Sequence, residues 1–294
     1  MSFDMTYKAS APAKINLTLD ILGKRPDGYH DVSMIMQSVE LCDEVSLTKT
    51  EDIGEIKISC NDHSIPCDSR NIVYKVADAF FKSTGIENTG IHLHIDKVIP
   101  SEAGLAGGSS DGAATLRLLN LAFDSHLGDK ELCEIGAKVG ADIPFCIVGG
   151  TQLATGTGTT LHKIRSMPKC HIVIVKPEVS VSTKEAYALA DQRQGQKFNY
   201  TEFMKTLIYS GDLSGICSAF HNDFEEVLNL SDINEIKSLM YKCKALGAAM
   251  SGSGSAVFGV FSSERKALKC AEKLNEIYSK VFVTKPSKTG AAIL

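Results

Sequence analysis

A strand, a glycine-rich loop and a helix follow one another between residues 91 and 120, and this stretch constrains the fold more than any other. An apolar alternation leads to Pro100, small residues run from Ala103 to Ser110, and helical spacing begins at Ala113. Glycine lets backbone N–H groups approach a ligand closely, and a helix N-terminus adds unpaired donors and partial positive charge. The stretch therefore favours a phosphate site, with a turn that only permits tight packing as the alternative. Neither the P-loop ending GK[ST] nor the dinucleotide spacing G-x-G-x-x-G is present.

The length of the chain bounds its organisation, since 294 residues suffice for one large domain or two ordinary ones. Predicted strands and helices are mixed along the whole chain. Glycine and threonine concentrate between Gly149 and Gly158, where we place the domain boundary. The prediction is an N-terminal domain of residues 1–155 and a C-terminal domain of residues 156–294.

The first predicted strand has two chemically different faces. Its apolar residues are Ile15, Leu17, Leu19 and Ile21, and they alternate with Lys14, Asn16, Thr18 and Asp20. This period of two predicts a half-buried strand, on which a surface location is the simpler interpretation of the lysine and the asparagine. Residues 34–41 and 45–49 are predicted as two further strands, separated by residues 42–44.

The charge and the cysteine content exclude several classes of function. A net charge of −4 offers no broad basic field for nucleic acid. The nine cysteines form no C-x-x-C pair, so reduced thiols are favoured and a zinc site is not. The sequence has no signal-peptide core and no apolar run of membrane-spanning length. We therefore expect a soluble cytoplasmic protein without a membrane partner.

Three further segments carry residues that chemistry could use. Tyr29 and His30 follow a Pro-Asp-Gly turn, where a half-exposed aromatic beside a polar neighbour is the simpler interpretation. Asp142 precedes Pro144, so its carboxylate caps a short helix, points into a cleft, or does both. Small residues at 251–255 precede an apolar strand and indicate either a tight hairpin or a second loop of close approach.

Five motifs stand in order along the chain: PAKINL at 12–17, RPDGYHD at 25–31, GLAGGSSDGAA at 104–114, GADIPF at 140–145 and MSGSGS at 250–255. Together they resemble the motifs of the GHMP kinases, which phosphorylate small molecules with ATP. The resemblance extends from Ala11 to the C-terminus. It implies a two-domain α+β kinase, with an N-terminal ribosomal-protein-S5-domain-2-like fold, a C-terminal α/β sandwich and an active site between them.

The resemblance also implies the reaction and its ligands. The narrower similarity is to members that transfer the γ-phosphoryl of ATP to the 2-hydroxyl of a cytidine-diphosphate-linked methylerythritol, on the non-mevalonate route to isopentenyl diphosphate. The expected cofactors are ATP and Mg²⁺, with the ion held mainly by phosphates and water and with Ser110 as a candidate protein ligand. A monomer or a homodimer is expected. The alternatives are a related kinase acting on homoserine, mevalonate or a sugar, and a non-catalytic sensor on the same scaffold.

Individual site residues follow from the resemblance, position by position. Lys14 and Asp142 match the catalytic pair, in which the aspartate takes the proton of the substrate hydroxyl. The ATP-binding positions are Asn71, Lys97, Pro100, Ala103, Gly104, Leu105, Ala106, Gly107, Gly108, Ser109 and Ser110. The substrate-binding positions are Asn16, Tyr29, His30, Thr183 and Tyr187, with the two tyrosines enclosing the cytosine. No dedicated metal site is expected, and Glu102 would repel a triphosphate unless its side chain points outward, because like charges repel.

Overall fold

Two sheets organise the chain in the computed structural model, which describes residues 6–192 and 198–294. Within these ranges the strands are β1 (Thr6–Lys24), β2 (His30–Lys49), β3 (Ile56–Cys60), β4 (Ile91–Asp96), β5 (Thr151–Gly156), β6 (Thr160–Lys163), β7 (His171–Val175), β8 (His221–Asn222), β9 (Gly247–Met250), β10 (Val257–Phe261), β11 (Val281–Thr284) and β12 (Ala292–Ile293). The helices are α1 (Ile72–Thr84), α2 (Gly107–Ala122), α3 (Asp129–Ala137), α4 (Ile143–Val148), α5 (Thr183–Ala190), α6 (Tyr200–Ser210), α7 (Leu213–Ser218), α8 (Asp223–Leu228), α9 (Ser231–Lys242) and α10 (Glu264–Asn275). This mixture confirms the predicted α+β class.

The larger sheet is built around its two longest strands. Its order is β12-β1-β2-β4-β3, β5 also pairs with β2, and β6 extends the sheet beyond β5. Strand β1 pairs antiparallel with β2 and parallel with β8. Because β8 and β12 come from the second half of the chain, that half completes the sheet of the first half. The smaller sheet is antiparallel, in the order β11-β7-β10-β9.

Strand β2 is continuous, so the prediction of two strands separated at residues 42–44 was wrong. Cys42 and Asp43 pair with Pro12 and Ala11 of β1 and keep the extended conformation. The polar sequence of this segment is typical of a turn. Pairing with a distant strand overrides that local preference, because the neighbouring strand supplies the backbone hydrogen bonds.

Both faces of β1 are covered, which corrects the prediction of a half-buried strand. Ile15 and Leu17 are fully buried in a core that includes residues of β7 and β10 from the smaller sheet. On the opposite face, Lys14 and Asn16 are only 4% and 1% exposed. The polar face of the strand therefore lies at an internal site. The period of two was interpreted correctly as a strand, but it cannot reveal what packs on the polar side.

Helices α1 and α2 pack together and contribute to the main core, and α2 also packs on β1 and β2. Val76 and Phe80 of α1 are fully buried, as are Leu116 and Leu119 of α2. Helix α1 ends at Gly85, as predicted, because this glycine adopts the left-handed conformation with φ of 70°. The packing fixes the direction in which α2 presents its N-terminus.

The helices bear on insertion into a membrane, and the cysteines bear on thiol reactivity. Among the described residues, no helix is both long and apolar enough to cross a membrane. All nine cysteines carry free thiols. Burial raises the pKa of Cys133 to about 11 and that of Cys170 to about 12. These two thiols therefore stay protonated near neutral pH and react slowly.

Candidate active site

A cleft of about 1120 Å³ opens where the glycine loop, strand β1 and the second half of the chain meet. Its walls include residues of the loop before α2, of α5 and of the loop between β9 and β10. Sites for a single small molecule typically enclose about 300–1,000 Å³. The cleft therefore has room for two ligands side by side.

The N-terminus of helix α2 opens into this cleft. Ala106 precedes the helix with a left-handed φ of 57° and makes no side-chain capping bond, so the first N–H groups of the helix have no capping side chain. The loop and helix residues on the cleft wall are Pro100, Ala103, Gly104, Ala106, Gly107, Gly108 and Ser109. Leu105 and Ser110 do not line it, and they are 1% and 0% exposed. The hydroxyl of Ser110 donates to the carbonyl oxygen of Pro12 at 2.7 Å.

Gly104 is required by a close approach of two backbones. Its φ is +74°, and a Cβ at this position would lie 2.0 Å from the carbonyl oxygen of Ser251. The hydroxyl of Ser251 donates to the carbonyl oxygen of Gly104 at 2.9 Å. On the other side, the backbone N–H of Lys14 donates to the carbonyl oxygen of Leu105 at 3.0 Å. The glycine loop is thus held between β1 and the small-residue loop that follows β9.

Lys14 lies on β1 and lines the cleft, although only 4% of its surface is exposed. Its Nζ donates to Oδ1 of Asn16 at 2.7 Å and lies 3.9 Å from Oδ2 of Asp142. A buried charge is costly unless polar or charged groups surround it. The fold places the polar side chain of Asn16 and the charged side chain of Asp142 beside the Lys14 ammonium. It thereby brings together Lys14 and Asp142, the predicted catalytic pair.

Asp142 directly precedes α4, but its carboxylate makes no capping bond to that helix. Pro144 lies in the first turn of α4, as the sequence predicted. The Asp142 side chain is 33% exposed, lines the cleft and faces Lys14. Of the alternatives left by the sequence, the structure therefore supports a carboxylate that faces the cleft and does not cap.

Asn71 and Lys97 both line the cleft, but their side chains are bonded to protein. Oδ1 of Asn71 accepts from the N–H of Val73 at 2.8 Å and caps α1, while its amide nitrogen donates to a backbone carbonyl. Nζ of Lys97 donates to Asp43 and Asp111. The ATP contacts implied for these two positions stay predictions.

Tyr29 and Tyr187 line the cleft, whereas His30 does not. The His30 ring stacks on Tyr187, with ring centroids 4.3 Å apart and planes at 17°, and its Nε2 lies 2.7 Å from Oδ1 of Asp191. Tyr29 is 67% exposed at the rim. Burial, with a smaller contribution from the charge of Asp142, raises the pKa of Tyr187 above its ordinary value. Its ring is therefore a neutral, flat surface supported from behind by His30.

The loop between β9 and β10 supplies cleft residues that the sequence analysis did not assign to the site. Residues 252–254 line the cleft, and Oγ of Ser253 lies 2.8 Å from Oγ1 of Thr183. Asn222 fixes the loop by donating to two backbone carbonyl oxygens, at 2.8 Å each. The available signal was the run of small residues at 251–255, but a hairpin would give the same run.

Comparison with known proteins identifies chains that are similar over nearly their full length. The family profile described as GHMP kinases N terminal domain matches residues 71–150, and that described as GHMP kinases C terminal matches residues 204–280. A 4-diphosphocytidyl-2-C-methyl-D-erythritol kinase from Caldicellulosiruptor saccharolyticus is 42% identical over 276 residues, which cover 93% of this chain and 94% of that one. A protein of the same name from Brevibacillus brevis is 43% identical over 283 residues, with 96% of each chain covered.

Solved structures give a consistent result. A crystal structure of 4-(cytidine 5'-diphospho)-2C-methyl-D-erythritol kinase superposes with a TM-score of 0.80 at 25% identity, covering 95% of this chain and 99% of that one. A homoserine kinase from Cytophaga hutchinsonii has a TM-score of 0.78 at 20% identity, with 100% and 99% covered. This second likeness shows the fold alone.

Proposed function

This chain belongs to the GHMP kinase family, and we propose that its cleft phosphorylates 4-diphosphocytidyl-2-C-methyl-D-erythritol with ATP. The γ-phosphoryl passes to the 2-hydroxyl of the methylerythritol unit and gives the 2-phosphate and ADP, on the non-mevalonate route to isopentenyl diphosphate. The observation that carries the proposal is the position of Lys14 Nζ, 3.9 Å from Asp142 Oδ2, in the cleft onto which α2 opens. The relatives with this activity, at 40–43% identity, support the choice of substrate.

Phosphoryl transfer depends mainly on an aligned nucleophile and on stabilised phosphate charge. Asp142 accepts the proton of the 2-hydroxyl, since an alcohol is a poor nucleophile until that proton leaves. Lys14 stabilises the negative charge on Asp142 and on the transferring group. The N–H groups at Gly107 and Gly108 hold the phosphates, because they lie at the positive end of α2.

The cleft also offers the oxygen donors that Mg²⁺ prefers. The carboxylates of Glu102 and Asp142 both belong to residues of its wall, and Mg²⁺ in kinase sites is held by one or two carboxylates, phosphate oxygens and water. Since Asp142 serves the reacting hydroxyl, Glu102 would be the residue that holds the ion. When bound, the ion supplies charge neutralisation at the phosphates. Its presence would also remove the repulsion expected between Glu102 and a triphosphate.

The cytidine end of the substrate would bind in the part of the cleft that Tyr29 and Tyr187 line. Tyr29 and Tyr187 offer flat faces, and stacking on an aromatic ring contributes about 1–3 kcal/mol per base. His30 holds Tyr187 in place, while Asn16 and Thr183 offer polar groups to the rest of the substrate. Binding energy at this remote end positions the reacting hydroxyl. We place the reaction in the cytoplasm, where thiols such as the nine free ones stay reduced.

An ADP-release assay across candidate alcohols tests the proposal. The purified chain is supplied with ATP, Mg²⁺ and one of four acceptors: the cytidylyl substrate, homoserine, mevalonate or galactose. We expect kcat/KM for the cytidylyl substrate to exceed the others by roughly 10⁴-fold, because the related acceptors leave the aromatic subsite empty. ADP release with another acceptor instead would assign a related kinase. Binding of ATP without ADP release from any acceptor would indicate a non-catalytic sensor.

A further inference from the structure

Two carboxylates and one ammonium group form a buried cluster behind the glycine loop. Nζ of Lys97 lies 2.5 Å from Oδ2 of Asp43 and 2.8 Å from Oδ2 of Asp111. The side chains of Lys97, Asp43 and Asp111 are only 6%, 0% and 4% exposed. A charge buried at this depth is costly unless an opposite charge lies beside it. Removing one of the three side chains therefore leaves a buried charge uncompensated.

The cluster joins the segments on both sides of the loop. Asp43 lies on β2, and its Oδ1 accepts from the backbone N–H groups of Val98 and Ile99, at 2.5 and 2.7 Å. These amides lead directly into the loop. Asp111 lies on α2, four residues after the helix begins at Gly107. A single lysine side chain thus connects the entry of the loop to the helix that leaves it.

The ammonium group lies against the first residue of the helix. A Cβ placed on Gly107 would lie 3.1 Å from Nζ of Lys97. The ammonium therefore packs against the start of α2, and two of its N–H bonds are directed at carboxylates, while Lys97 also lines the cleft.

We propose that Asp43, Lys97 and Asp111 are positioning residues, which hold the N-terminus of α2 at the height and direction that the ATP phosphates require. This inference rests on the proposed function, since it needs ATP at the glycine loop. Hydrogen bonds from a helix N-terminus depend strongly on distance and angle. A displacement of the order of 1 Å at a site that aligns reactants can cost about a hundredfold in rate.

The test compares Lys97→Met and Asp111→Ala with a matched control, Lys57→Met. Lys57 also pairs with two carboxylates, at 2.5 Å from Asp52 and 3.4 Å from Glu55, but it is 47% exposed and does not line the cleft. We expect both cluster variants to raise KM for ATP roughly tenfold or more and to leave KM for the cytidylyl substrate within about twofold. The control changes neither constant. Asp111→Asn keeps an oxygen acceptor for Lys97, so it restores most of the affinity for ATP that Asp111→Ala loses.

Two results would overturn the inference. If Asp111→Ala keeps the wild-type KM for ATP while Lys97→Met raises it, then Lys97 acts by direct contact with the nucleotide. If both variants change the two Michaelis constants equally, the cluster has a general structural role. Should Lys97→Met fail to fold, the double variant Lys97→Met with Asp111→Asn carries fewer uncompensated charges and is measured in its place. Wild-type ADP release from the cytidylyl substrate, measured in parallel, separates failure of this inference from failure of the proposed function.

Discussion

Lys14 shows how one residue of ordinary type becomes chemically special through its position. On a strand surface it would be a hydrated charge with little effect. Here it is 4% exposed, bonded to Asn16 and 3.9 Å from Asp142. Electrostatic interactions strengthen where water is excluded, so the ammonium acts on the carboxylate and on a phosphoryl group more strongly than it would in solution.

Asp142→Asn removes the proposed proton acceptor while keeping the size of the side chain. Because the carboxylate makes no capping bond to α4, we expect the variant to fold like the wild type. We expect kcat to fall by roughly 10²–10⁴-fold, the range typical for loss of a general base. Steady-state ADP release, with circular dichroism to check folding, measures both. A variant with near wild-type turnover would exclude Asp142 as the base.

His30→Ala tests the aromatic end of the cleft. Loss of the stacked ring and of its bond to Asp191 frees Tyr187 to move. We expect KM for the cytidylyl substrate to rise roughly tenfold, as loss of part of a base-stacking contact predicts, and KM for ATP to stay nearly constant. His162→Ala, at an exposed position on β6, is the control. Equal small effects on both constants would contradict the assignment of this end to cytosine.

At the scale of elements, the phosphate site depends on three segments held together by backbone contacts. The glycine loop bonds to β1 through Leu105 and to the loop after β9 through Gly104. Helix α2 then starts in a direction fixed by its packing on α1 and the larger sheet. The phosphate site therefore forms only at the junction where the glycine loop, β1 and the loop after β9 meet. Each loop alone is compatible with an ordinary turn.

Gly104→Ala tests this junction. A Cβ at a φ of +74° and 2.0 Å from the Ser251 carbonyl oxygen cannot be accommodated without moving one loop. We expect the free energy of unfolding to fall by about 2 kcal/mol or more and the affinity for ATP to be lost in large part. Gly23→Ala is the control, because no atom of residues 6–192 or 198–294 lies within 4 Å of its added Cβ and its φ is not left-handed. Urea unfolding and ATP titration measure both variants; equal stabilities would refute the close approach.

At the scale of the whole molecule, the two halves of the chain share one sheet and one cleft. Strands β8 and β12 pair with β1, and β6 pairs with β5, which lies at the predicted boundary of residues 155 and 156. That boundary stays a prediction. Because the two halves share this sheet, a change of charge inside the first half changes the stability of the whole fold.

The buried Asp111 makes this coupling measurable as a pH dependence. Burial raises the pKa of Asp111 from 3.8 to about 7, Lys97 opposes the shift and Asp43 adds to it. The folded state therefore holds a proton that the unfolded state has lost, and the associated stability is present at low pH and disappears as pH rises through about 7. We expect the free energy of unfolding of the wild type, relative to Asp111→Asn, to fall by about 1–3 kcal/mol between pH 5 and pH 8. A constant difference across this range, by urea unfolding, would contradict the shift.

The sequence by itself determined the strand–loop–helix unit and the GHMP kinase motifs and, through the resemblance that these motifs carry, the α+β class and the identity of the candidate pair. These features depend on local periodicity, on glycine at restricted positions and on short motifs. All three are properties of residues that lie close together in the sequence. Only the tertiary structure decided that β1 is covered on both faces, that β2 runs through residues 42–44 and that Lys97 bonds to Asp43 and Asp111. The tertiary structure also places residues 252–254 in the wall of the cleft and stacks the His30 ring on Tyr187. These outcomes come from contacts between residues far apart along the chain, whose burial and pairing energies no local pattern contains.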